Sequence, residues 1–209
     1  MLASKRVCVV GCGGLGGYII ESLGRIGVGY ITAVDFDVFE ESNLNRQITS
    51  ETGLLGKGKA DSAKDRMKRV NPLISVNAVC DMLNEKNAEK LLAGHDLVVD
   101  ALDSLPPRRL LQDECERLDI PLVHGAIGGW YGQVTVIMPG DRTLDKLYNP
   151  GTDKGAEKTL GTPAFTPAVV GSIQASEAIK LLIGRGRILR KKVLNIDLLN
   201  GDFVVYRIK

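Results

Sequence analysis

The sequence predicts an α/β fold in which a mostly parallel β-sheet carries helices on both faces. Short apolar runs alternate with longer amphipathic segments between residues 6 and 124, which is the pattern of repeated strand–helix units. A glycine-rich turn joins the first apolar run to the first amphipathic segment, as in Rossmann-like nucleotide-binding folds. An Asn200-Gly201 pair between two later runs predicts a hairpin, and therefore antiparallel strands at the C-terminal end.

The predicted strands are short runs rich in valine, isoleucine and leucine, bounded by residues typical of turns. The run at 132–138 alternates apolar and polar residues, so we expect an antiparallel edge to begin there. In chain order the predicted strands are 6–10, 30–34, 74–80, 96–101, 120–124, 132–138, 192–197 and 203–208.

The predicted helices rest on apolar residues that recur every three or four positions. In the last helix Thr166 is placed as the N-cap, Pro167 as the first helical residue and Gly184 as the end. The residues at 139–163 show no apolar period, which predicts a long crossover loop within a single domain spanning 1–209. The predicted helices are about 15–26, 57–70, 84–93, 106–118 and 166–183.

Charge and cysteine content exclude several classes of protein. The 27 Lys and Arg residues nearly balance the 25 Asp and Glu residues, so no domain-wide basic field favours nucleic acid. No apolar run reaches the roughly 20 residues that a membrane-spanning helix needs. The cysteines form no Cys-x-x-Cys pair, which predicts no zinc site and fits a cytoplasmic protein. Cys8 and Cys80 are predicted in the core and Cys115 on an outer helix, which leaves Cys12 nearest to any chemistry.

The glycine-rich segment at 11–16 predicts a nucleotide site. Its glycines let the chain turn sharply and approach a phosphate, whose charge the N-terminus of the next helix stabilises. Asp35 ends the following apolar run roughly twenty residues later, where a carboxylate can bind ribose hydroxyls. Gly11, Gly13 and Gly16 also satisfy the dinucleotide fingerprint, so an NAD-dependent oxidoreductase is one interpretation.

Polar residues farther along favour a triphosphate. Arg46 can hold two phosphate oxygens and Lys59 offers a compact charge, as a reaction that releases pyrophosphate requires. Asp103 follows an apolar strand at the edge where α/β sheets bind ligands, and a carboxylate beside phosphates suits magnesium. Each residue has an ordinary alternative: Lys59 can belong to a solvated basic helix face, and Asp103 can cap the helix that begins near Pro106.

Taken in order, these motifs resemble those of the MoeB/ThiF/HesA adenylyltransferases, relatives of the ubiquitin-activating enzymes. The NLNRQ block after DFD is specific, and the resemblance covers nearly the whole chain except 139–163. It rests on GCGGLG at 11–16, DFD at 35–37, SNLNRQ at 42–47, GKGK at 56–59, NP at 71–72, DALD at 100–103, PLVHG at 121–125, GQVT at 132–135 and GSIQASEAIK at 171–180.

The resemblance implies an enzyme that uses ATP and magnesium to adenylate the C-terminal Gly-Gly carboxylate of a ubiquitin-like sulfur-carrier protein of the ThiS/MoaD type. It also implies a homodimer, and it leaves the thiamine, molybdenum and tungsten cofactor pathways open. Arg46, Lys59 and Asp103 are the catalytic candidates, with Asp103 as the magnesium ligand. The candidates for nucleotide binding are Gly11, Gly13, Gly14, Gly16, Asp35, Asp37, Asn43, Arg46, Lys59 and Ser104.

Three departures from the family pattern matter. The paired Cys-x-x-Cys zinc motifs of many relatives are missing, and so is the cysteine that many carry in the loop at 139–163 or beyond it. Relatives often supply an arginine from an N-terminal extension across the dimer, whereas five residues precede the first predicted strand here. We therefore expect the reaction to stop at the acyl-adenylate without using a cysteine of the enzyme.

Several residues carry two interpretations. Arg108 matches a position near the nucleotide in relatives, but it also fits a surface helix. The residues at 128–131 can line a channel for the partner's tail or pack on an edge strand. His95 and His124 are predicted to be structural, since a carboxylate nucleophile is already ionised at neutral pH and needs no general base.

Three other functions are weighed against the same sequence. The same fold can activate a tRNA or small-molecule carboxylate, although the modest net charge argues against RNA. An oxidoreductase fits the glycines but not Arg46 and Lys59. A non-enzymatic scaffold is expected to lose Arg46, Lys59 or Asp103, and all three are present.

Overall fold

One sheet organises the part of the chain that the computed structural model describes, residues 1–149 and 161–208. Its eight strands follow the order β3-β2-β1-β4-β5-β6-β7-β8. The strands are β1 (Arg6–Val10), β2 (Tyr30–Val34), β3 (Ser75–Val79), β4 (Leu97–Asp100), β5 (Leu122–Gly128), β6 (Tyr131–Ile137), β7 (Lys192–Asp197) and β8 (Asp202–Arg207).

The first five strands are parallel, and the last three join them antiparallel. The chain runs outward from β1 to β2 and β3, and then returns to place β4 on the other side of β1. Loops that leave β1 and β4 therefore diverge above their carboxyl ends, which is where doubly wound sheets bind ligands. The predicted fold class is confirmed, including the antiparallel strands at the C-terminal end.

Helices cover both faces of the sheet, as the alternating pattern predicts. They are α1 (Gly14–Arg25), α2 (Lys59–Val70), α3 (Ala88–Leu92), α4 (Leu105–Arg117), α5 (Thr143–Leu147) and α6 (Phe165–Ile183). One apolar core lies under α1, α2 and α6, where Ile19, Met67 and Val170 are buried. A second lies under α3, α4 and α5, where Leu111 and Leu144 are buried. No described helix is both long enough and apolar enough to cross a lipid bilayer.

Two local predictions were wrong, and a third was confirmed. The last helix begins at Phe165, so Thr166 lies in its first turn, and its hydroxyl donates to the Gly129 carbonyl at 2.8 Å instead of capping the helix. Strand β6 begins the antiparallel part of the sheet, as predicted, and β7 and β8 continue it to the outermost position. The residues at 139–149 include the short helix α5, while 150–160 of the predicted crossover loop lie outside the described residues.

Two predicted turn residues are confirmed. Gly184 ends α6 with a φ of 63°, in the left-handed region that suits glycine at a helix C-terminus. Gly201 has a φ of 77° in the turn between β7 and β8, which pair antiparallel along their whole length. Both positions follow from the cost that a side chain would meet at positive φ.

Candidate nucleotide site

The glycine-rich turn is held in place by backbone contacts with both neighbouring strands. Gly11 has a φ of 97°, and its N–H donates to the Val34 carbonyl at 2.8 Å. A Cβ on Gly11 would lie 2.5 Å from the Ala101 carbonyl oxygen, and a Cβ on Gly16 would lie 1.8 Å from the Gly11 oxygen. Only glycine fits either position, so these two residues bring β1, α1 and the end of β4 together.

The next two glycines line the start of α1. A Cβ on Gly13 would come within 3.4 Å of the Gln47 amide, and one on Gly14 within 3.4 Å of the Pro167 ring. The first N–H groups of α1 have no acceptor within the helix, and the helix dipole is positive at this end. This geometry suits the binding of phosphate oxygens. Gln47 is 6% exposed, and its Oε1 has no hydrogen-bond partner among the described residues.

Asp35 stands at the carboxyl end of β2, beside the glycine turn. The Cys12 N–H donates to Oδ2 at 2.7 Å and the Asp37 N–H donates to Oδ1 at 2.8 Å, so the carboxyl group is held in one orientation. Burial raises the pKa of Asp35, and the two backbone hydrogen bonds oppose that shift. The structure thus places an oriented acceptor next to the turn, as ribose binding requires.

Lys59 is buried, which is not what a solvated basic helix face predicts. It is the first residue of α2 and only 7% exposed, and its Nζ lies 3.0 Å from Asp37 Oδ2. The Lys59 N–H also donates to the Asp37 carbonyl at 2.9 Å. Asp37 itself is half exposed. The ammonium is therefore directed toward the residues after β2.

The polar side chains of the segment at 41–47 contact their own neighbours in the chain. The Arg46 guanidinium donates to the Ser42 carbonyl at 2.7 Å and to Asn45 Oδ1 at 2.9 Å. Asn43 is buried, and its Oδ1 accepts from the Glu40 N–H at 3.1 Å, which fixes a short 3-10 helix at Glu41–Asn43. Among the described residues these contacts are local, so the phosphate roles of Arg46 and Asn43 stay predictions.

Asp103 is exposed in the turn between β4 and α4. Ser104 is the N-cap of α4, and its side chain makes no capping hydrogen bond. The Asp103 side chain forms no hydrogen bond with the described residues either, so helix capping does not explain it. The described residues contain no cluster of three or more His, Cys, Asp or Glu side chains for a metal. Asp103 nevertheless suits magnesium, which one carboxylate and substrate phosphates can hold together.

The family model that describes ThiF proteins matches residues 1–209. The chain belongs to the ThiF family. The predicted resemblance is therefore confirmed, and the glycine turn, Asp35, Lys59 and Asp103 described above stand at one edge of a ThiF-family sheet.

Three relatives are similar over nearly the whole chain. The SAMP-activating enzyme E1 of Haloferax volcanii is 41% identical over 99% of this chain and 78% of its own length. The molybdopterin-synthase adenylyltransferase of Escherichia coli is 36% identical over 97% of this chain and 82% of its own. The sulfur carrier protein adenylyltransferase of Thermus thermophilus is 40% identical over 97% of this chain and 78% of its own. None of the three is named as an oxidoreductase.

Solved structures agree on the fold. The crystal structure of E. coli MccB with ATP superposes with a TM-score of 0.85 at 21% sequence identity, over 99% of this chain and 64% of that chain. The crystal structure of MccB with MccA-N7isoASN gives 0.87 at 22%, over 99% and 65%. The chain thus spans about two thirds of the MccB chains, which share its fold.

Of the two interpretations of Arg108 in this ThiF-family chain, the surface helix is wrong. The side chain is 2% exposed and does not lie on a surface helix face. It donates to the Leu102 carbonyl in the turn that carries Asp103, and its Nε lies 3.7 Å from Asp100 Oδ2. The helical spacing of Leu105, Arg108, Leu111 and Cys115 was the available signal, because all four lie on the buried face of α4.

The cysteines lie in the predicted elements except for Cys80, which was predicted in the core. Cys80 is exposed because β3 ends at Val79, whereas Cys115 is buried under α4. Burial raises the pKa of Cys8 to about 12 and also raises the pKa of Cys115. Burial also raises the pKa of Cys12, the thiol in the glycine turn, well above its usual value. A hydrogen bond to Asp61 raises the pKa of Cys80.

Gly129 and Trp130 form the turn between β5, which ends at Gly128, and β6, which begins at Tyr131, and neither strand is an edge of the sheet. Trp130 packs against Phe165 with ring centroids 4.5 Å apart, while both rings remain about two-fifths exposed. Thr166 holds the turn through the Gly129 carbonyl. An aromatic pair is thus presented at the carboxyl end of β5, on the same edge of the sheet as the glycine turn.

Proposed function

We propose that this protein uses ATP and magnesium to adenylate the C-terminal Gly-Gly carboxylate of a ubiquitin-like sulfur-carrier protein, with release of pyrophosphate. The observation that carries the proposal is the placement of Lys59 and Asp103 at one edge with the glycine turn. The relatives named above support it, since two are adenylyltransferases and the third is an activating enzyme.

In the proposed reaction a carboxylate oxygen of the carrier attacks the α-phosphorus of ATP, and pyrophosphate leaves in line. The nucleophile is already ionised at neutral pH, so no general base is required. The histidines agree with this, because both are engaged elsewhere: His124 contacts Asp100, and His95 contacts Thr32 and the Leu92 carbonyl. Catalysis then depends on positioning and on stabilising the charge that develops.

Each group at the edge has a role in this proposal. The N-terminal amides of α1 bind phosphate oxygens, and Asp35 accepts from the ribose hydroxyls. The Lys59 ammonium leaves Asp37 and pairs with the leaving pyrophosphate. The Arg46 guanidinium turns from its local acceptors to the triphosphate. Asp103 would hold magnesium together with phosphate oxygens, and the metal would supply further neutralising charge when bound.

The test is exchange of labelled pyrophosphate into ATP by the purified protein. We expect exchange only when magnesium and a carrier ending in Gly-Gly are both present, because the adenylate must form before pyrophosphate can reverse it. The matched control is the same carrier without its final glycine, and parallel arms with tRNA and free amino acids test the rival substrates. Tight NADH binding without ATP binding would overturn the proposal.

We also propose that the active form is a homodimer. Phe36 and Val38 follow β2 and are 55% and 46% exposed, so apolar side chains lie uncovered beside the candidate site. A symmetric partner would cover them and support the segment at 41–47. Light scattering at micromolar concentration should give twice the chain mass, and a fully active monomer would contradict this.

We propose that the enzyme works in the cytoplasm without a cysteine nucleophile. Cys8, Cys12 and Cys115 are buried thiols with raised pKa, and Cys80 donates to a carboxylate. Replacing the buried three with alanine and Cys80 with serine should leave carrier-dependent exchange within a few-fold of wild type. A carrier–enzyme thioester or persulfide, trapped without reductant and identified by mass spectrometry, would show the opposite.

A further inference from the structure

A buried polar network joins three strands to the residues after α5. His124 on β5 and Asp100 on β4 are fully buried, and His124 Nδ1 lies 2.6 Å from Asp100 Oδ2. His124 Nε2 lies 3.1 Å from the Tyr148 hydroxyl, which also accepts from the amide of Gln133 on β6. We call Asp100, His124, Gln133 and Tyr148 the His124 network.

The protons in the His124 network have one consistent arrangement. Burial lowers the pKa of His124 and outweighs the opposite effect of Asp100, so the imidazole is neutral at pH 7. Because the Asp100 oxygen is an acceptor, we assign the proton to Nδ1, and Nε2 then accepts from the Tyr148 hydroxyl. Both ring nitrogens are engaged and the ring is inaccessible, which excludes His124 as a base for the substrate.

One end of the His124 network shapes the turn that carries Asp103. Asp100 Oδ1 accepts from the Leu102 N–H at 3.0 Å, and the Asp100 carbonyl accepts from Gln174 Nε2 at 2.7 Å. Arg108 donates to the Leu102 carbonyl from the other side. The backbone between β4 and α4 is therefore fixed by side chains from three different elements.

The other end holds the beginning of the crossover segment. Tyr148 directly follows α5, and the Arg109 guanidinium donates to the Tyr148 carbonyl at 3.2 Å and to the Asn149 carbonyl at 3.1 Å. The Tyr148 hydroxyl contacts His124 on β5, the strand that pairs with β6. The residues at 143–149 are thus anchored to the same sheet edge as Asp103.

We propose that His124 and Tyr148 are positioning residues that tie the start of the crossover segment to the turn bearing Asp103. The inference rests on the proposed function, in which the carrier tail and the magnesium ligand must keep a fixed separation. A shift at Tyr148 would pass through His124 to Asp100 and so to the backbone that presents Asp103. The affinity of Asp103 for magnesium would then depend on the hydrogen bond that holds Tyr148 in place.

The test is Tyr148→Phe, which removes one hydroxyl and keeps the ring, with Tyr30→Phe as the matched control. Tyr30 is 45% exposed at the start of β2, far along the chain from the network. We expect backbone amides at 101–104 and at 143–149 to exchange hydrogen about five-fold faster in Tyr148→Phe, as the loss of one hydrogen bond allows. If hydrogen exchange of the amides at 101–104 is unchanged, the proposed link between Tyr148 and the turn bearing Asp103 is wrong.

Kinetics supply a second readout. Tyr148→Phe should raise the magnesium concentration for half-maximal pyrophosphate exchange about five-fold and leave the KM for ATP within two-fold. An unchanged magnesium requirement in a variant with faster amide exchange would overturn the positioning role. If wild-type protein shows no carrier-dependent pyrophosphate exchange, the proposed function fails, while the amide exchange still decides whether the two segments are tied.

Discussion

Replacing Asp103 with alanine should lower carrier-dependent pyrophosphate exchange by about 10²-fold or more, as expected for a group that stabilises developing charge directly. The side chain is exposed in the turn between β4 and α4, and α4 begins after Ser104, so the fold does not depend on the carboxylate. The melting temperature should therefore stay within about 2 °C of wild type, because substitutions of exposed residues usually change stability little.

The matched control for Asp103 is Asp65→Ala, which removes an exposed carboxylate from α2. It removes one negative charge, as Asp103→Ala does, but leaves the candidate site unchanged, so its exchange rate should equal that of wild type. Near-normal exchange by Asp103→Ala would remove Asp103 from the proposed mechanism. A raised magnesium requirement in Asp103→Asn would support its role as the ligand.

Gly16→Ala should disrupt the nucleotide site and destabilise the fold together. The added Cβ would lie 1.8 Å from the Gly11 carbonyl oxygen, a contact that no rotamer can relieve because both atoms belong to the backbone framework. Helix α1 must move away from the turn, at a cost of about 3 kcal/mol, and ATP affinity should fall by about 10²-fold. Calorimetric ATP binding and denaturant unfolding measure the two effects.

Gly53→Ala is the control for this substitution. A Cβ there meets nothing within 4 Å, and the residue lies in the short helix Thr52–Leu54 without a positive φ. We expect stability within about 0.5 kcal/mol of wild type and unchanged ATP affinity. Wild-type ATP binding by Gly16→Ala would show that the close packing of α1 on the turn is not required for the site.

The features that the sequence predicted well depend on local chemistry. Apolar runs bounded by turn residues located every strand. In the central strands β1 and β4 the reason is burial on both faces, which requires apolar residues nearly throughout. The glycine turn was predictable because Gly11 needs a positive φ and Gly16 admits no side chain. Lys59 was identified as a candidate from its place in the order of motifs after Asp35, but its burial was not predicted.

The features that were missed depend on contacts between distant parts of the chain. Cys80 is exposed because β3 ends one residue before it, and the burial of Cys115 depends on which face of α4 packs on the sheet. Thr166 bonds to a hairpin 37 residues earlier, which no local capping rule describes. The partners of Arg108 depend on how α4 packs on the sheet, which no local sequence pattern describes.

The Lys59–Asp37 ion pair has a consequence for ionic strength. Lys59 already has an anionic partner 3.0 Å away, so an arriving triphosphate displaces one carboxylate contact and does not meet a bare cation. Added salt weakens the contact that is lost as well as the contact that is gained, and the two effects partly cancel. Nucleotide affinity at this site should therefore vary less steeply with salt concentration than binding to an open cluster of exposed lysines would.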